Sequence, residues 1–101
     1  MSDPKPIHLG RFDPMHTADI EDFYIDIAAN MTGVETISGV AFTVTNSAGA
    51  TVAGVVTSHT ESGTRTDFRV TAPAVGVYTI TAVFTISDGQ KITRTATLSV
   101  V

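Results

Sequence analysis

The sequence predicts an all-β protein, an antiparallel β-sandwich of about six or seven strands with an extended N-terminal arm. Three observations predict it. Valine, isoleucine and threonine, which favour strands, are abundant among the 101 residues. Runs of alternating apolar and polar residues are separated by turn signals. A Gly-x-Tyr pattern also stands at the start of a long C-terminal hairpin. A chain of this length forms one domain and is too short for two.

We predict the N-terminal arm over residues 1–20 and the sandwich over residues 21–101. Three prolines within the first 14 residues disfavour a helix and favour extended backbone. The arm also carries four large apolar residues, which a disordered tail would not usually hold: Ile7, Leu9, Phe12 and Met15. We expect them to be buried, either along an edge of the same domain or against a neighbouring subunit.

The first two strands of the sandwich follow the arm. Residues 21–29 alternate with a period of two, and their inward-facing side chains are Phe23, Ile25 and Ile27. Residues 35–45 are the second strand, with inward-facing Val40, Phe42 and Val44. Ile37 has the opposite parity, so we expect a bulge at Gly39 that returns Ile37 to the core.

The middle of the chain is less regular. Residues 50–58 predict a third strand, weakened by Gly54, and residues 59–63 predict a polar loop. Residues 64–72 are the next strand. Its inward-facing residues are Thr66, Phe68, Val70 and Ala72, and its outward-facing residues are Arg65, Asp67 and Arg69.

The C-terminal part of the chain predicts a corner and a hairpin. Gly76 and Tyr78 follow a proline-containing turn, as in the tyrosine corner of immunoglobulin-like domains, so we predict an immunoglobulin-like sandwich and a structural role for both residues. Asp88 and Gly89 are a hairpin-turn signal. An odd, three-residue loop over 87–89 keeps both apolar faces of the hairpin together, and it pairs Phe84 with Ile92, Ile80 with Ala96 and Tyr78 with Leu98.

Charge and composition exclude several function classes. The net charge of −4 argues against nucleic-acid binding, which needs clustered Lys and Arg. No apolar run approaches the roughly 20 residues of a membrane span, and no secretory signal is evident, so we expect synthesis in the cytoplasm. The absence of cysteine excludes disulfides and thiolate sites.

The charges are also unevenly distributed along the chain. Residues 1–36 hold seven acidic and two basic residues, a charge of −5, and the remainder hold three acidic and four basic residues, a charge of +1. One interpretation is a solvated acidic edge. The other is a set of complementary faces for assembly, with Asp22 and Asp26 on one side and Arg65 and Arg69 on the other.

We find no motif for catalysis, for a cofactor or for a metal. His8 and His16 lie in the arm and His59 in a loop, without the converging ligands and the rigid surroundings that a metal site needs. Asp22 and Asp26, four residues apart on one strand, stand roughly 13 Å apart, too far for a glycosidase pair. The chain has no nucleophile elbow and no phosphate-binding glycine loop. We therefore predict that the protein is not an enzyme.

Four stretches of the sequence resemble small virion accessory proteins of tailed bacteriophages. They are Phe12-Asp13-Pro14, the strand Asp22-Phe23-Tyr24-Ile25-Asp26, the entry Gly33 to Ile37 into the second strand, and the hairpin from Gly76 to Gln90. The resemblance implies an immunoglobulin-like, non-enzymatic module without a cofactor. It would decorate the capsid or serve as a neck or tail adaptor for fibres.

The resemblance also implies the partners and the location of the protein. It would act in the virion as a homo-oligomer, after synthesis in the host cytoplasm, bound to capsid, connector, tail or fibre proteins. We expect it to dock through the arm and the sandwich surface, without nucleic acid or membrane. The alternative is a cell-surface or carbohydrate-binding immunoglobulin-like module. Such modules usually expose aromatic residues, and here only Tyr24 is expected on the surface.

Overall fold

The structure is a computed structural model that describes residues 5–6, 12, 14–27 and 36–101. These residues contain no helix and form seven strands. The strands are β1 (Lys5–Pro6), β2 (Ile20–Asp26), β3 (Ile37–Asn46), β4 (Val56–Ser62), β5 (Arg65–Thr71), β6 (Gly76–Ile86) and β7 (Lys91–Val100).

The strands form two sheets, a four-stranded one in the order β1-β2-β5-β4 and a three-stranded one in the order β3-β6-β7. Neighbouring strands are antiparallel except that β1 is parallel to β2. Buried and more exposed residues alternate along β5 and β6, so each sheet has a core face. The predicted all-β sandwich is confirmed. Its immunoglobulin-like topology stays a prediction, because the strand order is that of a constant-type domain but the parallel β1–β2 pair departs from purely antiparallel sheets.

The β6–β7 hairpin has the predicted odd-length loop. Phe84 lies opposite Ile92, and the other predicted pairs follow in the same register. The Ile86 amide donates to the Gln90 carbonyl over 2.8 Å. Gly89 has a φ of +94°, in the left-handed region that favours glycine. These pairs confirm the predicted register, in which an odd loop keeps the apolar residues of both strands on the core face.

The bulge in β3 is also confirmed. The register of β3 on β6 shifts between Ile37 and Gly39, and the Ile37 side chain is buried. One extra residue at this point reverses the parity of the strand, which is how Ile37 and Val44 both reach the core.

The prediction for the third strand is wrong. Residues 51–52 only bridge the end of β3, and the strand itself runs from Val56 through Ser62. The polar residues 59–62, predicted as a loop, pair with β5 across a turn at Gly63. β4 is one of the two edge strands of its sheet, where polar side chains are usual because they discourage pairing with other chains. Their polarity therefore indicates a sheet edge.

The described part of the N-terminal arm lies on the sandwich. The Phe12 amide donates to the Thr97 carbonyl over 2.9 Å, and the Met15 amide donates to the Ser99 carbonyl over 3.0 Å. The Val101 amide donates back to the Met15 carbonyl over 2.8 Å. Since β1 pairs with β2 in the other sheet, the N-terminal part of the chain contacts both sheets along one side of the sandwich.

The core between the sheets has two clusters. The larger contains Phe12, whose ring meets that of Phe23 edge-on at 4.8 Å and that of Phe68 at 6.0 Å between centroids. Met15 is fully buried in the same cluster. The smaller cluster lies toward the β6–β7 turn, and its buried members are Ile27, Ile37, Ala82, Phe84 and Ile86.

Candidate protein-binding surface

The outer face of the four-stranded sheet brings together the charged residues that the sequence suggested for an interface. Asp22 lies opposite Arg69, Tyr24 opposite Asp67, and Asp26 opposite Arg65 in the antiparallel pairing of β2 with β5. All six point away from the core because they alternate with the buried residues of the two strands. We call this surface the charged face: Asp22, Tyr24, Asp26, Arg65, Asp67 and Arg69.

Asp22 and Arg69 form a two-point ion pair across β2 and β5. Arg69 Nε donates to Asp22 Oδ1 over 2.8 Å, and Arg69 Nη2 donates to Asp22 Oδ2 over 3.2 Å. These hydrogen bonds lower the pKa of the Asp22 carboxyl group and raise the pKa of the Arg69 guanidinium. The Arg69 side chain remains 43% exposed, so the pair stays accessible to a partner.

Arg65 connects the other members of the charged face. Its Nε donates to Asp67 Oδ1 over 2.5 Å, a hydrogen bond that raises the pKa of the guanidinium. Its Cζ lies 4.0 Å from the centroid of the Tyr24 ring, a cation–π contact. At the end of β2, Asp26 Oδ1 accepts a 3.1 Å hydrogen bond from Thr64 Oγ1. Arg65 thus covers one side of the Tyr24 ring. The ring is therefore not the freely exposed aromatic surface on which a carbohydrate-binding module usually stacks a sugar.

Two of the predicted interface residues of the arm, Phe12 and Met15, lie in the core and not on the charged face. The side chains of Phe12 and Met15 are 2% and 0% exposed in the core of their own sandwich. In this chain they have almost no surface left for a neighbour. Ile7 and Leu9 lie outside the described residues, and their role as partner contacts stays a prediction.

The residues predicted to be structural lie at the two ends of β6. The Tyr78 hydroxyl donates to the Ala74 carbonyl over 2.7 Å, the contact that a tyrosine corner requires. A side chain at Gly76 would contact the Tyr78 ring at 3.5 Å. At the other end, Asp88 Oδ1 accepts a hydrogen bond from the Gln90 amide over 3.0 Å and so closes the turn.

The histidines do not converge on a site. His8 lies outside the described residues. His16 is exposed on the N-terminal segment, and His59 Nδ1 lies 2.6 Å from Glu61 Oε1 on the edge strand β4. Among the described residues, no three His, Asp or Glu side chains group as metal ligands would. A shallow cleft of about 210 Å³ lies beside Phe42, between β3 and residues 51–56, and is lined only by apolar and hydroxyl side chains and glycine.

Sequence reasoning found the members of the charged face but not their arrangement. The alternation of side chains along each strand predicts that these residues lie on the outer face of the sheet. The opposition of Asp22 and Arg69 depends on the pairing of β2 with β5, two strands that are not consecutive in the chain. One signal of this opposition is present in the sequence: two aspartates four positions apart in one strand, Asp22 and Asp26, match two arginines four positions apart in another, Arg65 and Arg69.

Residues 15–99 match the model of a family described as Podophage GP4 fiber-tail adaptor protein gp77. No curated protein matches this chain.

Proposed function

We propose that this chain, which belongs to the podophage GP4 fiber-tail adaptor family, joins a tail fibre to the tail of a phage particle. The observation that carries the proposal is the extent of the family match, which runs from residue 15 to residue 99 and so includes β2 to β6 and all but the last residue of β7. The family identifies the protein as a structural component of the virion, and the resemblance to phage virion accessory proteins is confirmed. Of the two roles suggested by that resemblance, the match favours the tail adaptor over capsid decoration.

The family also implies contact with other tail proteins, and we propose that docking uses Ile7 and Leu9 of the N-terminal arm and the charged face. Two features of the charged face support this. Arginine and tyrosine are enriched where binding energy concentrates in protein interfaces, and Arg65 stacked on Tyr24 is such a pair. The exposed ion pairs contribute little to folding, because water and salt screen them.

We further propose that the protein has no catalytic activity, as expected of a family of structural adaptors. Its side chains contribute to assembly by fitting the shape and the charge of neighbouring proteins. The described residues contain no helix that is long and apolar enough to cross a membrane. We place the protein in the virion, where repeated copies would each bind the neighbouring tail proteins.

The experiment that tests this function is complementation of a phage lacking the gene for this chain. Particles assembled without the chain should contain tails but lack fibres, as seen by electron microscopy and by the protein composition of purified particles. Supplying the wild-type chain should restore the fibres. Particles that carry fibres without the chain would contradict the proposal.

A charge swap tests whether the charged face does the docking. Arg69→Asp alone removes the ion pair with Asp22, whereas Arg69→Asp combined with Asp22→Arg restores an internal pair and inverts the charges that a partner meets. We expect the double variant to fold like the wild type but to fail in complementation. Arg94→Ala is the matched control, because Arg94 lies on β7, in the other sheet. Full complementation by the swapped chain would show that the pair only joins β2 to β5.

A further inference from the structure

The described part of the arm that ends at Met15, which we call the arm segment, fills a site between the two sheets. Phe12 and Met15 are buried in the larger core cluster, and their amides donate to the carbonyls of Thr97 and Ser99 over 2.9 and 3.0 Å. Met15 also forms a parallel bridge with Val100 of β7. The arm segment therefore covers apolar core and the edge of β7 at the same time.

A single exposed turn joins the arm segment to β2. The Asp19 amide donates to the His16 carbonyl over 3.0 Å, so residues 16–19 form a β-turn. The amides of Thr17 and Ala18 lie 3.4 Å from their acceptors on the sandwich, longer than the roughly 2.7–3.2 Å of a good hydrogen bond. Of the seven strands described, β1 alone precedes this turn. The turn can therefore open without disturbing β2 to β7.

The same turn has a strained backbone. Ala18 has a φ of +71°, and in the described part of the chain it is the only residue other than glycine with a positive φ. It stands at the third position of the turn, where a positive φ is the type II pattern and glycine is the usual residue. Alanine is disfavoured in this region by roughly 5- to 30-fold. An opened turn places no such requirement on Ala18, so the strain favours opening.

We propose that the arm segment exchanges between copies of this chain, so that Phe12 and Met15 of one copy fill the site between the sheets of another. The occupant is the one that the structure shows in this site, because an exchanged arm segment makes the same contacts with identical residues. Exchange keeps the burial and the hydrogen bonds of the arm segment and relieves the strain at Ala18. Strained short hinges favour exchange of this kind in general.

The turn sets the distance and the concentration at which exchange occurs. Residues 16–19 span about 14 Å when straightened, so the second copy must lie directly beside the first. A short tether holds a segment at a roughly millimolar effective concentration, and the strain lowers the concentration at which a second copy competes to roughly 0.1 mM. Reciprocal exchange closes a dimer and one-way exchange closes a ring, and both join copies through core contacts. The inference goes beyond the proposed function, since its partner is a second copy and not another tail protein.

Introduced cysteines test the exchange, because the chain has none of its own. Pro14→Cys and Ser99→Cys lie one position before the bridge between Met15 and Val100, on backbones about 5 Å apart, a separation that a disulfide can span. Each substitution is placed in a different chain, and the two purified chains are mixed, warmed below the melting temperature and oxidised. Pro14→Cys mixed with Thr95→Cys is the matched control, because Thr95 is exposed on the same strand roughly 13 Å farther along.

A disulfide between the two chains reports an arm segment of one copy on β7 of another. We expect linked chains at about 1 mM total protein and almost none at about 0.01 mM, with the linked peptides identified by mass spectrometry. The Thr95→Cys mixture should give only background linkage. Light scattering of the wild-type chain should show the same rise in mass with concentration. Linkage no higher than in the control mixture at about 1 mM would overturn the inference.

Substitutions at Ala18 test the part played by the turn. Ala18→Gly relieves the strain and should raise the concentration at which half of the chains are linked by about fivefold or more. Ala18→Val adds strain, because β-branched residues avoid a positive φ, and should lower that concentration. Ala48→Gly, in the exposed turn after β3 and without a positive φ, is the matched control and should leave it unchanged.

Circular dichroism verifies that each variant at Ala18 and Ala48 is folded. Equal linkage by the glycine and valine variants, or shifts in the same direction, would overturn the inference. Every mixture contains only the purified chain, so the result does not depend on whether the chain joins a fibre to a tail. A chain that fails to restore fibres in complementation but exchanges its arm segment contradicts the proposed function alone.

Discussion

Replacing Phe12 with alanine should strongly destabilise the protein, although Phe12 lies outside the strands. Its ring is 2% exposed and meets the rings of Phe23 and Phe68 edge-on. Truncating a buried phenylalanine costs about 3–5 kcal/mol, from lost burial and from the cavity that remains. We expect about 3 kcal/mol, the lower end, because the segment around Phe12 is held at the sheet edge and can relax into part of the cavity.

Urea unfolding of the purified chain measures this loss. A decrease of about 3 kcal/mol is more than a hundredfold change in the ratio of folded to unfolded chains, and it should lower the melting temperature by about 12–24 °C. The matched control is His16→Ala in the same segment. The His16 side chain is exposed, so this substitution should change the free energy of unfolding by less than about 0.5 kcal/mol.

The difference in unfolding free energy between Phe12→Ala and His16→Ala shows whether the N-terminal segment packs on its own sandwich. If Phe12→Ala unfolds at the same urea concentration as His16→Ala, the Phe12 side chain is not in the core of its own domain. The segment would then be free to dock on a neighbouring subunit, which is the other arrangement that the sequence allows.

Three further predictions concern the turn, the corner and the charged face. Gly89→Val should cost about 1–2 kcal/mol of unfolding free energy, because φ is +94° there, whereas Gly39→Ala, at a position with open space and no positive φ, should change it little. Tyr78→Phe should cost about 1 kcal/mol, because it removes a 2.7 Å hydrogen bond to a backbone carbonyl, and equal urea midpoints for both chains would contradict this. The pKa of Asp22 is lowered by its hydrogen bond from Arg69, so its stabilising contribution is present above about pH 4 and is lost as the pH falls through the lowered pKa. Asp22→Asn should therefore weaken the acid dependence of stability in urea titrations below pH 4 slightly, by less than about 1 kcal/mol because the exposed pair is screened, and a steeper acid dependence in the variant would refute the pairing.

Local patterns predicted the parts of the fold that depend on neighbouring residues. The parity of β6 and β7 across Asp88 and Gly89 determines the loop length and with it the register. The position of Ile37 before Gly39 determines the bulge in the same way. In both places a single misplaced residue would turn apolar side chains to solvent, so the sequence leaves no alternative.

Long-range features were harder to predict. The edge strand β4 was missed because its exposed residues have the polarity of a loop, and only its pairing with β5 identifies it. The apolar side chains of Phe12 and Met15 predict burial, but the sequence does not determine which surface covers them. The pairing of Asp22 with Arg69 joins residues far apart in the chain, and no local pattern encodes it.

A cryo-electron microscopy map of the phage particle at side-chain resolution tests the central claim most directly. We predict that this chain lies at the junction of fibre and tail, with the charged face around Arg65 and Arg69 in contact with a neighbouring tail or fibre protein. A map that places the chain on the capsid shell, or that leaves the charged face open to solvent, would contradict the claim that this sandwich is a tail adaptor that docks through the charged face.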